Sequence, residues 1–262
     1  MDLGLKGRAV LVTGASSGVG LATAAALLAE GAHVAACARD GVRLEKALAD
    51  LPRAEGSRLY PASCDVLDEA QVEAFVADAA RELGGLAGIV NNAGRSLMAR
   101  LAETTDDQWR EELQLKIFSV LHVVRAALPW LREAANPAVV NVNAILARQP
   151  EPRLAATSAA RAALLNLSTT LATELAEDGV RVNSVCLGLV DTGQWRRRYE
   201  ASGSALSFAD WSAELAADRG IPLGRLGTAE EVAFPIVTLL SPRASYVTGA
   251  TIDVGGGIAR YV

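Results

Sequence analysis

The chain has 262 residues, 51% of them hydrophobic, and a formal net charge of −5 at pH 7. This composition suffices for one large core, so we expect one domain over residues 1–262, although two small domains would also fit the length. The negative charge argues against nucleic-acid binding, and the lack of a long apolar stretch or signal peptide predicts a cytoplasmic protein that does not enter a membrane.

Short apolar runs alternate with longer segments of helical periodicity. The runs of strand length are Ala9–Val12, His33–Ala38, Leu59–Ala62, Gly88–Val90, Ala138–Val142, Arg181–Cys186 and Thr251–Val254. The helical patterns cover Leu21–Glu30, Val42–Leu51, Glu69–Leu83, Asp107–Glu133, Ala155–Glu177 and Ala229–Leu240. Uniformly apolar strands separated by helices predict an α/β fold, a doubly wound parallel sheet of about seven strands with helices on both faces. Its ligand site is expected at the carboxyl ends of the strands.

A glycine-rich loop joins the first apolar run to the first helix. Glycines at this point let a pyrophosphate approach backbone amides at the positively polarised end of a helix. A tight turn that binds no ligand is the alternative, which the surrounding strand and helix disfavour. The residues predicted to bind a nucleotide cofactor here are Gly14, Ser16, Ser17, Gly18, Val19 and Gly20.

Four motifs in order resemble the short-chain dehydrogenase/reductase family, which is built on the Rossmann fold. The glycine loop is the first, Cys64-Asp65-Val66 and Asn91-Asn92-Ala93-Gly94 match two further cofactor motifs, and the segment from Ile221 to Gly257 matches the family's closing segment. The resemblance covers nearly the whole chain and implies an oxidoreductase that forms a homodimer or homotetramer. It also implies cofactor contacts by Asp65, Val66, Asn92, Ala93, Gly94, Arg161, Gly188 and Thr192.

The end of the second strand bears on which nicotinamide cofactor is bound. A small residue followed by Arg39, with the hydroxyls of Ser16 and Ser17 nearby, resembles members that prefer NADP(H), because a guanidinium binds the 2′-phosphate well. If the strand were one residue longer, Asp40 would face the ribose and favour NAD(H) instead. We therefore expect NADP(H), with NAD(H) as the alternative.

The catalytic positions of the family hold other residues in this chain. No tyrosine is followed by a lysine four residues later. Aligned on the flanking motifs, the family's serine, tyrosine, lysine and asparagine fall on Ala144, Thr157, Arg161 and Lys116. An aliphatic hydroxyl such as that of Thr157 does not titrate as a phenol does, and Arg161 cannot relay a proton.

Lys116 is the candidate proton donor. A buried lysine can have its pKa lowered enough to act as an acid or base. The hypothesis is that Lys116 replaces the family's tyrosine or polarises the substrate oxygen. The alternative is a lysine that extends from a helix face with its amine in solvent.

Residues 190–220 are expected to form a lid over a small-molecule substrate, as the resemblance implies. Three successive arginines, Arg196 to Arg198, could recognise an anionic or acyl-thioester substrate. Such a run is more often a solvated helix face or a subunit contact.

The favoured function is an NADP(H)-dependent oxidoreductase that acts on a carbonyl, alcohol or related C=X group, with the proton supplied by Lys116 or by water. A catalytically silent NADP(H) sensor or non-catalytic subunit is the alternative, since it would keep the same cofactor residues. His33 and His122 have no companions at ligand spacing, so no metal site is predicted.

Overall fold

The computed structural model describes residues 2–261. Seven parallel strands form one sheet in the order β3-β2-β1-β4-β5-β6-β7. Their bounds are β1 Ala9–Thr13, β2 His33–Ala38, β3 Leu59–Ser63, β4 Gly88–Asn91, β5 Ala138–Ala144, β6 Arg181–Leu187 and β7 Thr251–Val254. The α/β prediction is confirmed, and the order reverses between β1 and β4, where such sheets open a crevice at their carboxyl edge.

The strands continue slightly past the apolar runs from which they were predicted. Thr13 still pairs with Cys37, and Asn91 pairs with Asn141. Backbone pairing continues through these polar residues because both neighbouring strands remain extended. Several site residues therefore lie on rigid strand ends.

The helices are α1 Gly18–Ala29, α2 Gly41–Leu48, α3 Glu69–Leu83, α4 Asp106–Leu113, α5 Ser119–Glu133, α6 Ala155–Glu174, α7 Gly193–Ser202, α8 Phe208–Asp218 and α9 Ala229–Leu240. The helix predicted at Asp107–Glu133 is interrupted by a π-helical turn at Gln114–Phe118. The first helix begins three residues earlier than Leu21, since the glycine loop leads directly into helical backbone. Within residues 2–261 we find no helix with the length and apolar character needed to cross a bilayer.

Alternate residues of the strands pack against helices on opposite faces. Leu11 contributes to a core with Phe75 and Val123, from α3 and α5. Val10 contributes to a second core with Leu27, from α1, together with residues of α9. Burial on both faces explains why the strands are apolar throughout. It also holds the carboxyl edge in place.

Arg181 ties the last helix to the sheet. Its side chain is 6% exposed. Nη1 donates to the carbonyls of Leu239 at 2.9 Å and Val247 at 3.2 Å, and Nη2 donates to the carbonyl of Ser241 at 3.1 Å. These carbonyls include ones at the C-terminal end of α9, which a cation stabilises.

We expect Arg181→Met to lower the free energy of unfolding by about 2–3 kcal/mol, because buried carbonyls would lose a charged donor. Urea unfolding followed by circular dichroism measures the loss. Arg53→Met, at an exposed position, is the control and should change stability by less than about 0.5 kcal/mol. Equal stability of wild type and Arg181→Met would contradict the role assigned to Arg181.

Candidate active site

A cavity of about 1030 Å³ opens at the carboxyl edge of the sheet. It follows the crevice between β1 and β4 and continues below α7. Its lining includes most of the predicted cofactor residues, namely Gly14, Ser16, Ser17, Gly18, Val19, Arg39, Asp65, Val66, Asn92, Ala93, Gly94, Arg161, Gly188 and Thr192. Sequence positions up to 178 residues apart thus meet in one depression, which we call the main cavity.

Asn92 joins the glycine loop to the end of β4. Its Nδ2 donates to the carbonyl oxygens of Thr13 at 2.9 Å and Gly14 at 3.1 Å. In return, the Thr13 hydroxyl accepts hydrogen bonds from the backbone amides of Asn92 and Ala93, each at 3.0 Å. The two motifs therefore form one hydrogen-bonded unit.

This unit explains why the loop needs glycine. A Cβ at Gly20 would lie 2.4 Å from the carbonyl oxygen of Gly14 and 2.5 Å from Asn92 Nδ2. Gly14 itself has φ +67°, a conformation that favours glycine. The Ser17 side chain makes no capping hydrogen bond to α1, so the first-turn amides keep their capacity to bind an anion.

Two arginines line the far end of the main cavity. They are Arg39, which follows β2, and Arg43, in the first turn of α2. The strand ends at Ala38 as predicted, so the one-residue extension considered for Asp40 does not occur. Asp40 instead caps α2, and its Oδ1 accepts a hydrogen bond from the Arg43 amide at 2.9 Å. Arg43 is not among the residues predicted from the sequence, although its place one turn after Arg39 is a usable signal.

The four positions aligned with the family's catalytic residues divide into two pairs. Ala144 and Arg161 line the main cavity, whereas Lys116 and Thr157 do not. Lys116 is 3% exposed and Thr157 is fully buried. The alternative in which the Lys116 amine reaches solvent is therefore wrong. A carboxylate one turn earlier in the helix holds the amine inside.

That carboxylate belongs to Glu112, which is 2% exposed. Its Oε2 accepts hydrogen bonds from Lys116 Nζ at 2.8 Å and from the Thr157 hydroxyl at 2.6 Å. We call these three residues the Glu112 cluster. Glu112 is not among the residues predicted from the sequence, although a glutamate four residues before a lysine is a recognised helical pairing.

The segment from Arg95 to Ala99 separates the Glu112 cluster from the main cavity. Lys116 Nζ donates to the Arg95 carbonyl at 2.7 Å, and the Leu97 amide donates to the Thr157 hydroxyl at 3.1 Å. On its other side, the segment contributes Arg95, Ser96 and Met98 to the cavity lining. A buried ion pair thus lies directly behind the cavity wall.

Arg161 lies between the cluster and the main cavity. Its Nη1 donates to the Val142 carbonyl at 2.9 Å, and burial lowers the pKa of its guanidinium. The pKa of Lys116 is lowered to about 8, mainly by burial and then by the charge of Arg161, while Glu112 opposes the shift. Lys116 also occupies the π-helical turn, a distortion often found at functional sites.

A second cavity of about 10 Å³ connects these groups. Lys116, Arg161 and Asn91 contribute to its lining. Within residues 2–261, the buried Asn91 Oδ1 and Arg161 Nε atoms have no hydrogen-bond partner. A space of this size holds about one water molecule, and its polar lining suits one. Since Arg161 and Gly94 line both cavities, the small cavity adjoins the main one.

Comparison with known proteins adds to this geometry. A family model described as enoyl-(acyl carrier protein) reductase matches residues 14–259. The chain is 34% identical over 257 residues to 2-(S)-hydroxypropyl-CoM dehydrogenase 3 of Xanthobacter autotrophicus, covering 97% of each protein.

Two solved structures are also similar. One is the NADPH-bound structure of a short chain oxidoreductase from Pseudomonas aeruginosa containing an atypical catalytic center. It is 52% identical, covers 97% of this chain and 98% of that one, and has a TM-score of 0.93. The other is L-sorbose reductase from Gluconobacter frateurii complexed with NADPH and L-sorbose, which is 31% identical over 100% of both chains with a TM-score of 0.94.

Proposed function

The chain belongs to the short-chain dehydrogenase/reductase family of oxidoreductases, and on that premise we propose that it uses NADP(H) to interconvert a carbonyl or related C=X group and its reduced form. The observation that carries the proposal is the main cavity, in which the glycine loop, Arg39, Asn92 and Thr192 line one continuous wall. The NADPH bound in the Pseudomonas and Gluconobacter relatives supports the same cofactor.

The residues present fit this cofactor. The uncapped first turn of α1 and the bare backbone of the glycine loop suit a pyrophosphate. Arg39 and Arg43 suit a 2′-phosphate, and Asp40 is engaged in capping α2. Asp65 and Val66 would border the adenine, while Thr192 and Gly188 would lie beside the nicotinamide. When bound, the nicotinamide supplies or accepts the hydride.

For the proton, we propose Lys116 as the donor. Reduction of a carbonyl adds a hydride to carbon and a proton to oxygen. Ala144 has no group to donate, the Thr157 hydroxyl does not titrate near neutral pH, and Arg161 holds its protons too tightly. The Lys116 ammonium, with a pKa of about 8, is matched to proton transfer near neutral pH.

The small cavity provides a route for that proton. A water held there by Asn91 and Arg161 would pass a proton from Lys116 Nζ toward the main cavity, and the neutral amine would then regain a proton from solvent. Glu112 remains the fixed counter-charge that keeps Lys116 protonated below its pKa. Arg161 keeps positive charge beside the oxygen on which negative charge develops.

A second function is favoured by one observation. Lys116 and Thr157 are sealed behind the Arg95–Ala99 segment, as they would be if the cluster were structural. The protein would then bind NADP(H) as a sensor or as a non-catalytic subunit.

We also propose self-association into a dimer or tetramer. Large apolar side chains are exposed at Phe118 beside the π-helical turn, Phe234 on α9 and Tyr246 near the C-terminal end. Exposed apolar groups of this size are typical of surfaces covered in an assembly.

Turnover of a carbonyl panel separates the two functions. Purified protein is mixed with NADPH and a set of ketones, aldehydes, imines and enoyl thioesters, and the absorbance of the reduced nicotinamide is followed. Oxidation of NADPH well above the buffer rate with one class supports the oxidoreductase. Tight NADPH binding without turnover of any class supports the sensor.

The cofactor preference depends on Arg39. We expect wild type to bind NADPH at least about tenfold more tightly than NADH, a difference of about 1.4 kcal/mol. Arg39→Ala should abolish the difference, because the 2′-phosphate would lose a charged partner. Fluorescence titration of both cofactors measures it, with Arg53→Ala as the control. Equal affinity of wild type for the two cofactors would overturn the preference for NADP(H).

The pH profile tests Lys116. The donor must be protonated, so kcat/KM for reduction should be level below pH about 8 and fall above it. Since Glu112 raises the pKa of Lys116, Glu112→Gln should shift the fall to lower pH. Lys116→Met should lower kcat by about 10²–10⁴-fold and remove the fall.

Removing Lys116 alone leaves a buried carboxylate unpaired, at a cost of about 3–5 kcal/mol. The double variant Lys116→Met/Glu112→Gln avoids that charge, and retained NADPH affinity verifies its fold. Wild-type activity in this double variant would exclude Lys116 as the donor.

A further inference from the structure

The three consecutive arginines of α7 do not share one environment. Arg196 forms a bidentate pair with Asp191, with Nε–Oδ1 at 3.0 Å and Nη2–Oδ2 at 2.6 Å. Its guanidinium also lies 4.4 Å from the centre of the Phe208 ring. Arg196 does not line the main cavity, so its charge is balanced and serves the fold of the lid.

Arg197 and Arg198 both line the main cavity. Within residues 2–261, neither makes an ion pair or a hydrogen bond through its side chain. Arg198 is half-buried, and its guanidinium lies 4.4 Å from the centre of the Trp195 ring. An arginine stacked on an indole is held in one orientation while its N–H groups stay available.

Arg219, directly after α8, lines the same cavity. It pairs with Glu151 through Nη1, and its buried Nε lies 3.8 Å from Asp218 Oδ2. Burial lowers the pKa of Arg198, and the charge of Arg219 lowers it further, which indicates that the two guanidiniums lie close enough to repel each other.

The carboxylates lining the main cavity do not balance this charge. Glu151 is taken by Arg219, and Glu111 pairs with Arg95 at 2.7 Å. Asp40 and Asp65 lie at the far end, beside Arg39. The end of the main cavity lined by Arg197, Arg198 and Arg219, which we call the substrate end, therefore keeps an excess of positive charge. A bound anion would neutralise it.

We infer that the substrate of the proposed oxidoreductase carries a carboxylate or a phosphate, bound by Arg197 and Arg198. This inference rests on the proposed function. Guanidinium groups match the oxygen spacing of either anion. The resulting anchor would set the distance between the anionic group and the reacting carbon, and so select among carbonyl compounds.

Binding of unreactive probes tests the inference without turnover. NADPH-loaded protein is titrated with benzoate, phenyl phosphate and benzamide, followed by calorimetry or ligand-detected NMR. Loading with NADPH fills the Arg39 end, so that the anions report on the substrate end. We expect at least one anion to bind about tenfold or more tightly than neutral benzamide, and the stronger of the two identifies the preferred group.

Variants locate the effect. Arg198→Gln and Arg197→Gln should each reduce the anion preference several-fold. Arg53→Gln, which removes an exposed charge outside the cavity lining, should keep it. No preference for either anion in wild type, or an unchanged preference in both cavity-facing variants, would overturn the inference.

A kinetic comparison distinguishes this inference from the proposed function. With NADPH, kcat/KM is measured for 4-carboxybenzaldehyde and for methyl 4-formylbenzoate, which differ by the charge. Higher kcat/KM for the acid, lost in Arg198→Gln, supports both proposals. Anion-selective binding without turnover of either aldehyde, or of any class in the carbonyl panel, supports the anion site and contradicts the oxidoreductase. Equal turnover of both aldehydes contradicts the anion site alone.

Discussion

The hydrogen bonds between Asn92 and the glycine loop are the interaction on which the functional end of the molecule depends. They join the carboxyl ends of β1 and β4, the neighbouring strands at which the strand order reverses. The same bonds leave no space for a side chain at Gly20. The position of the cavity, the conformation of the loop and the start of α1 therefore depend on Asn92. This residue lies 79 positions after Thr13 and 78 positions after Gly14 in the chain.

The Glu112 cluster shows why Glu112, Lys116 and Thr157 have to be considered together. A buried carboxylate needs a cation and further donors, since an unpaired buried charge costs several kcal/mol. Lys116 supplies the cation, and Thr157 supplies the donor on the same oxygen. Restoring one family residue alone would leave the others without partners. The positions thus form a unit in which each residue type depends on the rest.

The sequence predicted the sheet well because its strands are apolar on both faces. Most of the predicted cofactor residues line one cavity because they lie in motifs at the carboxyl ends of those strands. Glu112 escaped detection because a glutamate within a long amphipathic helix is usually solvent-exposed. Its burial depends on Thr157, 45 residues later, and on a loop with no periodicity. The different environments of Arg196, Arg197 and Arg198 could not be predicted either, since they depend on where α7 lies relative to the main cavity. Local pattern predicts an element, whereas long-range packing decides which side chains meet.

The strand order also has a consequence for how the protein reaches its native state. The first strand lies in the middle of the sheet, and one of its two neighbours is β4, which begins at Gly88. Pairing β1 with β4 closes the long chain segment between Thr13 and Gly88. This closure costs conformational entropy before any contact offsets it. During synthesis, β1 can pair with β2 early, but its other edge stays open until β4 has emerged. The crevice therefore cannot form before β4 has paired with β1, and a cofactor can bind there only after these strands have assembled.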